Sequence, residues 1–184
     1  MEQECGVQEH GVQQINRNRP CIHIFWQNGL EDRLMPVQEL LQVHFPMLSF
    51  AAERQREPAV SCYDPSRYQY DAAGLLRELP DDGICLHLLH VDLYYPGYRY
   101  LYGAAVPGKA VVSDFRPDTA AGFYKEICHE LGHALGLNHC KNKCIMHVSR
   151  SEWELEQKQH EFCSSCQKQL YRLTGLQKIK EYQL

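Results

Sequence analysis

Eleven residues, His129-Glu130-Leu131-Gly132-His133-Ala134-Leu135-Gly136-Leu137-Asn138-His139, constrain this chain more than any other segment, because they call for a helix, a stop and a return. His129 and His133 are four apart, so on a helix they project from one face about one turn from each other. Gly136 can take the left-handed conformation that ends a helix and turns the chain back. That turn can deliver His139 to the same point. Three imidazoles on one zinc ion leave a position open for water, which is the arrangement of a catalytic rather than a closed structural site. Glu130 lies beside the first ligand and can reach a metal-bound water. The bare HExxH pattern also fits a solvated helix face. With the glycine and the third histidine in register, each with its own mechanical role, the metal site is the stronger reading. Cys128, on the same helix, reads as a small buried hydrophobe.

Composition narrows the classes open to the rest. The 184 residues fit one domain with two lobes around a cleft, and an apolar fraction of 44% allows a real core. A net charge of −4 without a basic run argues against a nucleic-acid or anionic-membrane binder. No apolar stretch is long enough to span a membrane. Residues 1–19 are rich in Gln, Glu and Asn and read as a flexible lead-in without a signal-peptide core, so a cytoplasmic location is expected. Nine cysteines is a high count. Without a signal peptide, metal binding is a better first reading of them than disulfides. Cys21, Cys62, Cys85 and Cys128 are scattered and read as buried thiols, and Cys5 as a surface one.

Periodicity then organises the chain. Cys21–Trp26 alternates as a strand, and Leu34, Val37, Leu40, Leu41 and His44 recur at helical spacing up to a stop before Pro46. Met47–Phe50 and Ala59–Tyr63 are expected as short strands, with a turn over Arg54–Pro58. Tyr70–Leu79 reads as a second helix, Pro80-Asp81-Asp82-Gly83 as a turn, and Ile84–Tyr94 as one central strand. Tyr98–Val106 alternates like a strand, Pro107-Gly108 turns, and Ala110–Phe115 resumes as another. The motif helix is expected to begin near Thr119. Ser164 or Ser165 could cap a last helix carrying Leu170, Leu173 and Leu176 on one face. The sum is an α/β (α+β) fold in a single domain over 20–184. Its N-terminal lobe (20–136) is a sheet with helices that ends in the motif helix, and its C-terminal lobe (137–184) is smaller, with little strand character.

A second constellation begins where the first ends. Cys140 follows His139 directly, Cys144 is four further on, and Cys163 and Cys166 form a CxxC. Two short-spaced pairs match a closed site in which four thiolates hold a structural zinc. Two disulfides, or ordinary free thiols, are the other readings. A metal there would anchor the loop that delivers His139. Met146 is placed to form an apolar floor beneath the imidazoles, although a lone methionine is usually plain core.

On these residues the chain resembles the archaemetzincins, zinc proteases of the metzincin clan whose signature runs HExxHxxGxxHC, then CxM, then CxxC. Here that reads His129 through Cys140, Cys144-Ile145-Met146, and Cys163-Ser164-Ser165-Cys166. The family pattern has four residues between the first two cysteines, where this chain has three. Weaker likeness extends through Tyr63-Asp64-Pro65, Arg67-Tyr68-Gln69-Tyr70 and Val91-Asp92-Leu93-Tyr94. The resemblance implies a metzincin-like fold with a twisted mixed β-sheet. It implies that His129, His133 and His139 hold a catalytic zinc, with Glu130 as general base and acid. It also implies that Met146 is the Met-turn residue and that Cys140, Cys144, Cys163 and Cys166 hold a second, structural zinc.

The expected function is zinc-dependent hydrolysis of peptide bonds. The alternative is a zinc-binding interaction protein on the same scaffold, but such a module has no need of Glu130. The substrate would lie extended and pair with an exposed strand edge, for which Tyr98–Val106 is the candidate. Its tyrosines read as packing residues more than specificity determinants. Neither nucleic acid nor membrane is an expected partner, and a monomer is expected.

Overall fold

The structure, a computed structural model, describes residues 20–174. The lead-in expected over 1–19, with Cys5, and Leu176 of the last helix lie outside the described residues. Strand β1 (Cys21–Trp26) leads through a short 3-10 turn into helix α1 (Leu34–His44) and strand β2 (Ser49–Gln55). Then come β3 (Tyr63–Asp64), β4 (Gln69–Asp71), helix α2 (Ala72–Glu78), β5 (Ile84–Leu89) and β6 (Leu93–Tyr94). Strands β7 (Gly103–Val106) and β8 (Lys109–Ser113) precede helices α3 (Ala120–Ala134), α4 (Glu152–Gln157) and α5 (Ser164–Leu173). The main sheet is ordered β2-β1-β5-β8-β7, parallel throughout except for β7, which runs antiparallel to β8 at the edge. Strands β3, β4 and β6 form a small second sheet.

The two-residue side-chain period of a strand sorts the core into two layers. Ile22, Ile24, Leu86, Leu88, Ala110 and Val112 face α1 and α3, where they meet Val37, Leu41, Phe123, Ile127 and Leu131. Phe25, Cys85, Leu89 and Val111 face the other way, onto Ala72, Leu75 and Leu76 of α2. Burial on both faces explains why β5 and β8 read as near-continuous apolar runs.

Several expected boundaries move, each for a physical reason. β2 continues to Gln55, two residues into the expected turn, and its last four residues are exposed, so no apolar alternation marks it. Ala59–Tyr63 is mostly a 3-10 turn over Val60–Cys62, with Tyr63 opening β3. Tyr70 belongs to β4, and α2 starts after Asp71, whose carboxylate accepts from the Ala73 amide at 3.0 Å. The expected central strand breaks after Leu89. Gln27 Oε1 and Ser113 Oγ take the amides of His90 and Val91 at 2.8 and 3.2 Å, and the chain crosses to the small sheet. Tyr98–Tyr102 forms no strand either, apart from one isolated antiparallel bridge between Leu101 and Leu93. Arg67 Nη2 donates to the carbonyls of Tyr98 and Arg99 at 3.2 and 3.1 Å, so side chains replace a ladder partner there. Helix α5 begins at Ser164 with Cys163 as its N-cap, one residue before the expected serines. Among the described residues no helix is long and apolar enough to cross a membrane.

Candidate active site

Helix α3 is fixed at both ends. Thr119 Oγ1 accepts from the Gly122 amide at 3.1 Å, and the same hydroxyl donates to Glu156 of α4. At the far end Gly136 has φ +97°, Gly136 N–H donates to His133 O at 2.9 Å and Leu137 N–H to Gly132 O at 2.8 Å. This pair of bonds is a Schellman stop. The chain reverses there and returns His139 to the face that carries His129 and His133.

The three imidazoles converge, with their metal-capable nitrogens within 4.8 Å of one another. His129 Nδ1 lies 2.9 Å from Ile145 O, and His133 Nδ1 lies 2.8 Å from Leu137 O. A ring nitrogen that donates to a carbonyl carries the hydrogen, so each ring presents Nε2 as a lone pair. Those two Nε2 atoms face each other at 3.2 Å. Two lone pairs aimed together repel unless a cation lies between them, and this donor set suits zinc. Burial pushes both histidines below their ordinary pKa, which keeps them neutral and ready to bind a metal.

Glu130 is buried one residue along, with a carboxyl oxygen within 4.8 Å of a His129 ring nitrogen. Burial first, then the neighbouring Glu126 charge, hold its carboxyl well above the usual range. Glu126, one turn earlier, is buried too and sets Oε2 3.6 Å from the ammonium of Lys158. Lys158 Nζ also lies 3.0 Å from Nδ1 of His129. The ammonium thus sits between His129 Nδ1 and the Glu126 carboxylate, and its charge helps hold the His129 ring neutral. Periodicity alone could have flagged Glu126, which precedes Glu130 by four residues. Nothing local marks Lys158, at the end of α4.

The four cysteines of the second constellation also come together, with sulfurs within 4.8 Å of one another, despite the shortened spacing between Cys140 and Cys144. Cys140 and Cys163 are 3.8 Å apart at sulfur, and every described cysteine is a free thiol, so the disulfide reading is not what the fold adopts. The Cys166 amide lowers the Cys163 thiol to about 6, so that cysteine favours the thiolate a metal requires. Met146 is fully buried and lies over Gly132, where a Cβ would collide with its sulfur. Cys140 N–H donates to Met146 O at 2.9 Å, which fastens the loop after His139 to the methionine turn.

A cleft of about 1150 Å³ opens over the histidines and Glu130 and is walled by Tyr98–Val106, with Val148, Ser149 and Arg150 also lining it. Strand β7 is the outer strand of the sheet on this side. It passes directly over the site, since a Cβ on Gly103 would lie 2.7 Å from Glu130 Cγ.

Comparison with known proteins agrees with this geometry. Residues 59–172 match the model of peptidase family M54. An archaemetzincin of Archaeoglobus fulgidus is 38% identical over 116 residues, covering 59% of this chain and 72% of that protein. One of Aeropyrum pernix is 36% identical over 142 residues, covering 68% and 78%. The crystal structure of the A. fulgidus protein, complexed with malonate, superposes with a TM-score of 0.70 at 31% identity over 80% of this chain and 98% of that one. The structure of the Methanopyrus kandleri archaemetzincin gives 0.77 at 26% identity over 88% and 98%. With its histidine and cysteine clusters in place, the chain belongs to the archaemetzincin family, peptidase family M54, and is a zinc metallopeptidase.

Proposed function

We propose that this chain cleaves peptide bonds at a zinc held by His129, His133 and His139, with Glu130 as general base and then general acid. A second, structural zinc would be held by Cys140, Cys144, Cys163 and Cys166. The observation that carries this reading is the meeting of three imidazoles and one buried carboxyl beneath the edge strand of an open cleft. Bound at the histidines, zinc supplies Lewis acidity toward the scissile carbonyl and acidifies a water. Glu130 takes that water's proton and hands it to the leaving amine. Lys158, close beneath, opposes the pressure of burial and Glu126 and draws Glu130 toward its ionised form. Strand β7 offers its free edge to an extended peptide. Met146 serves as the Met-turn residue by supporting α3 at Gly132. A monomer acting on peptides or proteins fits a site built wholly from one chain.

Glu130→Gln should lower kcat/KM on a peptide library by about 10²–10⁴-fold while zinc content stays at the parental value. A variant that cleaves like the parent removes Glu130 from the mechanism.

A further inference from the structure

We infer that the cleft selects peptides carrying a carboxylate near the scissile bond, read by Arg99 and Arg150; this rests on the peptidase reading above. The chain is acidic, with a net charge of −4. Apart from the catalytic Glu130 and from Glu126, which is paired with Lys158, the cleft wall carries Arg77, Arg99, Lys109 and Arg150 against Asp81. Two of these cations are already engaged. Lys109 pairs with Asp81 at 2.7 Å and Arg77 with Asp71 at 3.6 Å. Among the described residues, neither Arg99 nor Arg150 has a carboxylate partner for its guanidinium.

Both arginines project from backbone that is fixed in place. The Arg99 carbonyl accepts from Arg67 Nη2 and from Gln69 Nε2, each at 3.1 Å. Gln69 is itself buried and braced on Asp92 at 3.1 Å. The Arg116 guanidinium stacks 4.1 Å from the ring centre of the next residue, Tyr100. On the other segment, the Arg150 amide donates to Glu154 Oε2 at 2.7 Å. An arginine that stabilised the fold would spend its side-chain donors on the fold. Here the fold holds the main chain and leaves the guanidinium free over the cleft. A guanidinium matches a carboxylate in a planar, bidentate fashion, and these two are the cleft cations left without a countercharge. The two arginines flank the machinery in sequence, one leading into the edge strand and the other four residues past Met146. The carboxylate could be an aspartate or glutamate side chain, or the C-terminus of the peptide.

The test is a series of otherwise identical peptides with Glu, Gln or Lys at each position beside the cleavable bond, made with free and with amidated C-termini. On the zinc-loaded protein, Glu peptides should show kcat/KM about tenfold above Lys peptides, narrowing at high salt. Arg99→Glu or Arg150→Glu should reverse the Glu-to-Lys ratio at the positions each reads, and a ratio does not depend on the fraction of protein folded. A preference that disappears on amidation assigns the carboxylate to the C-terminus and still supports the inference. Equal rates for Glu and Lys peptides of both kinds overturn it, as does a ratio that neither reversal changes. If no peptide is cleaved at all, the peptidase proposal fails separately. Binding of the same labelled series to the Glu130→Gln protein, followed by fluorescence anisotropy, then decides the carboxylate preference by the same ratio.

Discussion

Ile145 accepts the Nδ1–H of His129 through its carbonyl at 2.9 Å, and that bond joins the two clusters. The residue before it, Cys144, contributes one of the four sulfurs, and the residue after it, Met146, packs on Gly132. Three consecutive residues therefore touch the cysteine cluster, orient a histidine and support the helix between them. The cysteine cluster acts on the histidine site by holding this segment in place, without contributing a group to the chemistry.

Cys163→Ser should then lower zinc content from two ions per chain to one, reduce the melting temperature, and weaken retention of the remaining zinc against a chelator. Removing a ligand loses folding energy supplied by the metal, and it frees the segment that orients His129. Unchanged zinc by atomic absorption would count against the second site.

Gly132→Ala sets two effects against each other. Alanine favours a helix over glycine by about 1 kcal/mol. Its Cβ, however, would overlap the sulfur of the fully buried Met146, and overpacking costs about 1–3 kcal/mol. The steric effect should win, giving lower stability in urea denaturation together with a lower kcat. A more stable variant would show that Met146 is free to move aside.

The Glu126–Lys158 pair is buried, with side chains 8% and 2% exposed. Lys158→Met should destabilise by about 3–5 kcal/mol, because it leaves Glu126 without its countercharge in the interior, and Glu126→Gln by less, because Glu130 still faces the ammonium. The double variant should lose clearly less than the sum of the two. Strict additivity across this cycle would mean that the two charges do not act as a pair.

His87 provides the pH test. It is buried, its Nε2 bonds the Arg56 carbonyl at 2.8 Å, and burial holds its pKa down at about 4 against an ordinary 6.5. Below pH 6.5 the unfolded chain takes up a proton that the folded chain refuses. The stability from this group is complete above pH 6.5 and is lost as the pH falls toward 4, by about 3 kcal/mol in all. His87→Gln should flatten that part of the stability profile. Parallel profiles for parent and variant, measured by thermal melts from pH 7 to 4.5, would exclude His87 as the source.

How much of this could be read in the chain itself follows from the range of each interaction. The motif helix, its glycine stop, the return of His139 and the two cysteine pairs are encoded within a few residues, since helix period and ligand spacing are local. These features determined the metal chemistry and the fold class from sequence. The strand expected over Tyr98–Val106 shows where such reading ends. Its alternation is real, but Arg67 and Gln69, about 30 residues away, take its carbonyls, and only Gly103–Val106 joins the sheet as the edge over Glu130. Likewise Lys158 reaches His129 from 29 residues away, and nothing near it in sequence announces a buried cation. Sequence determined which groups could bind a metal. Tertiary structure alone decided what surrounds them, because backbone partners, the buried Lys158 and the unpaired arginines are set by contacts between distant segments that leave no periodic trace in either one.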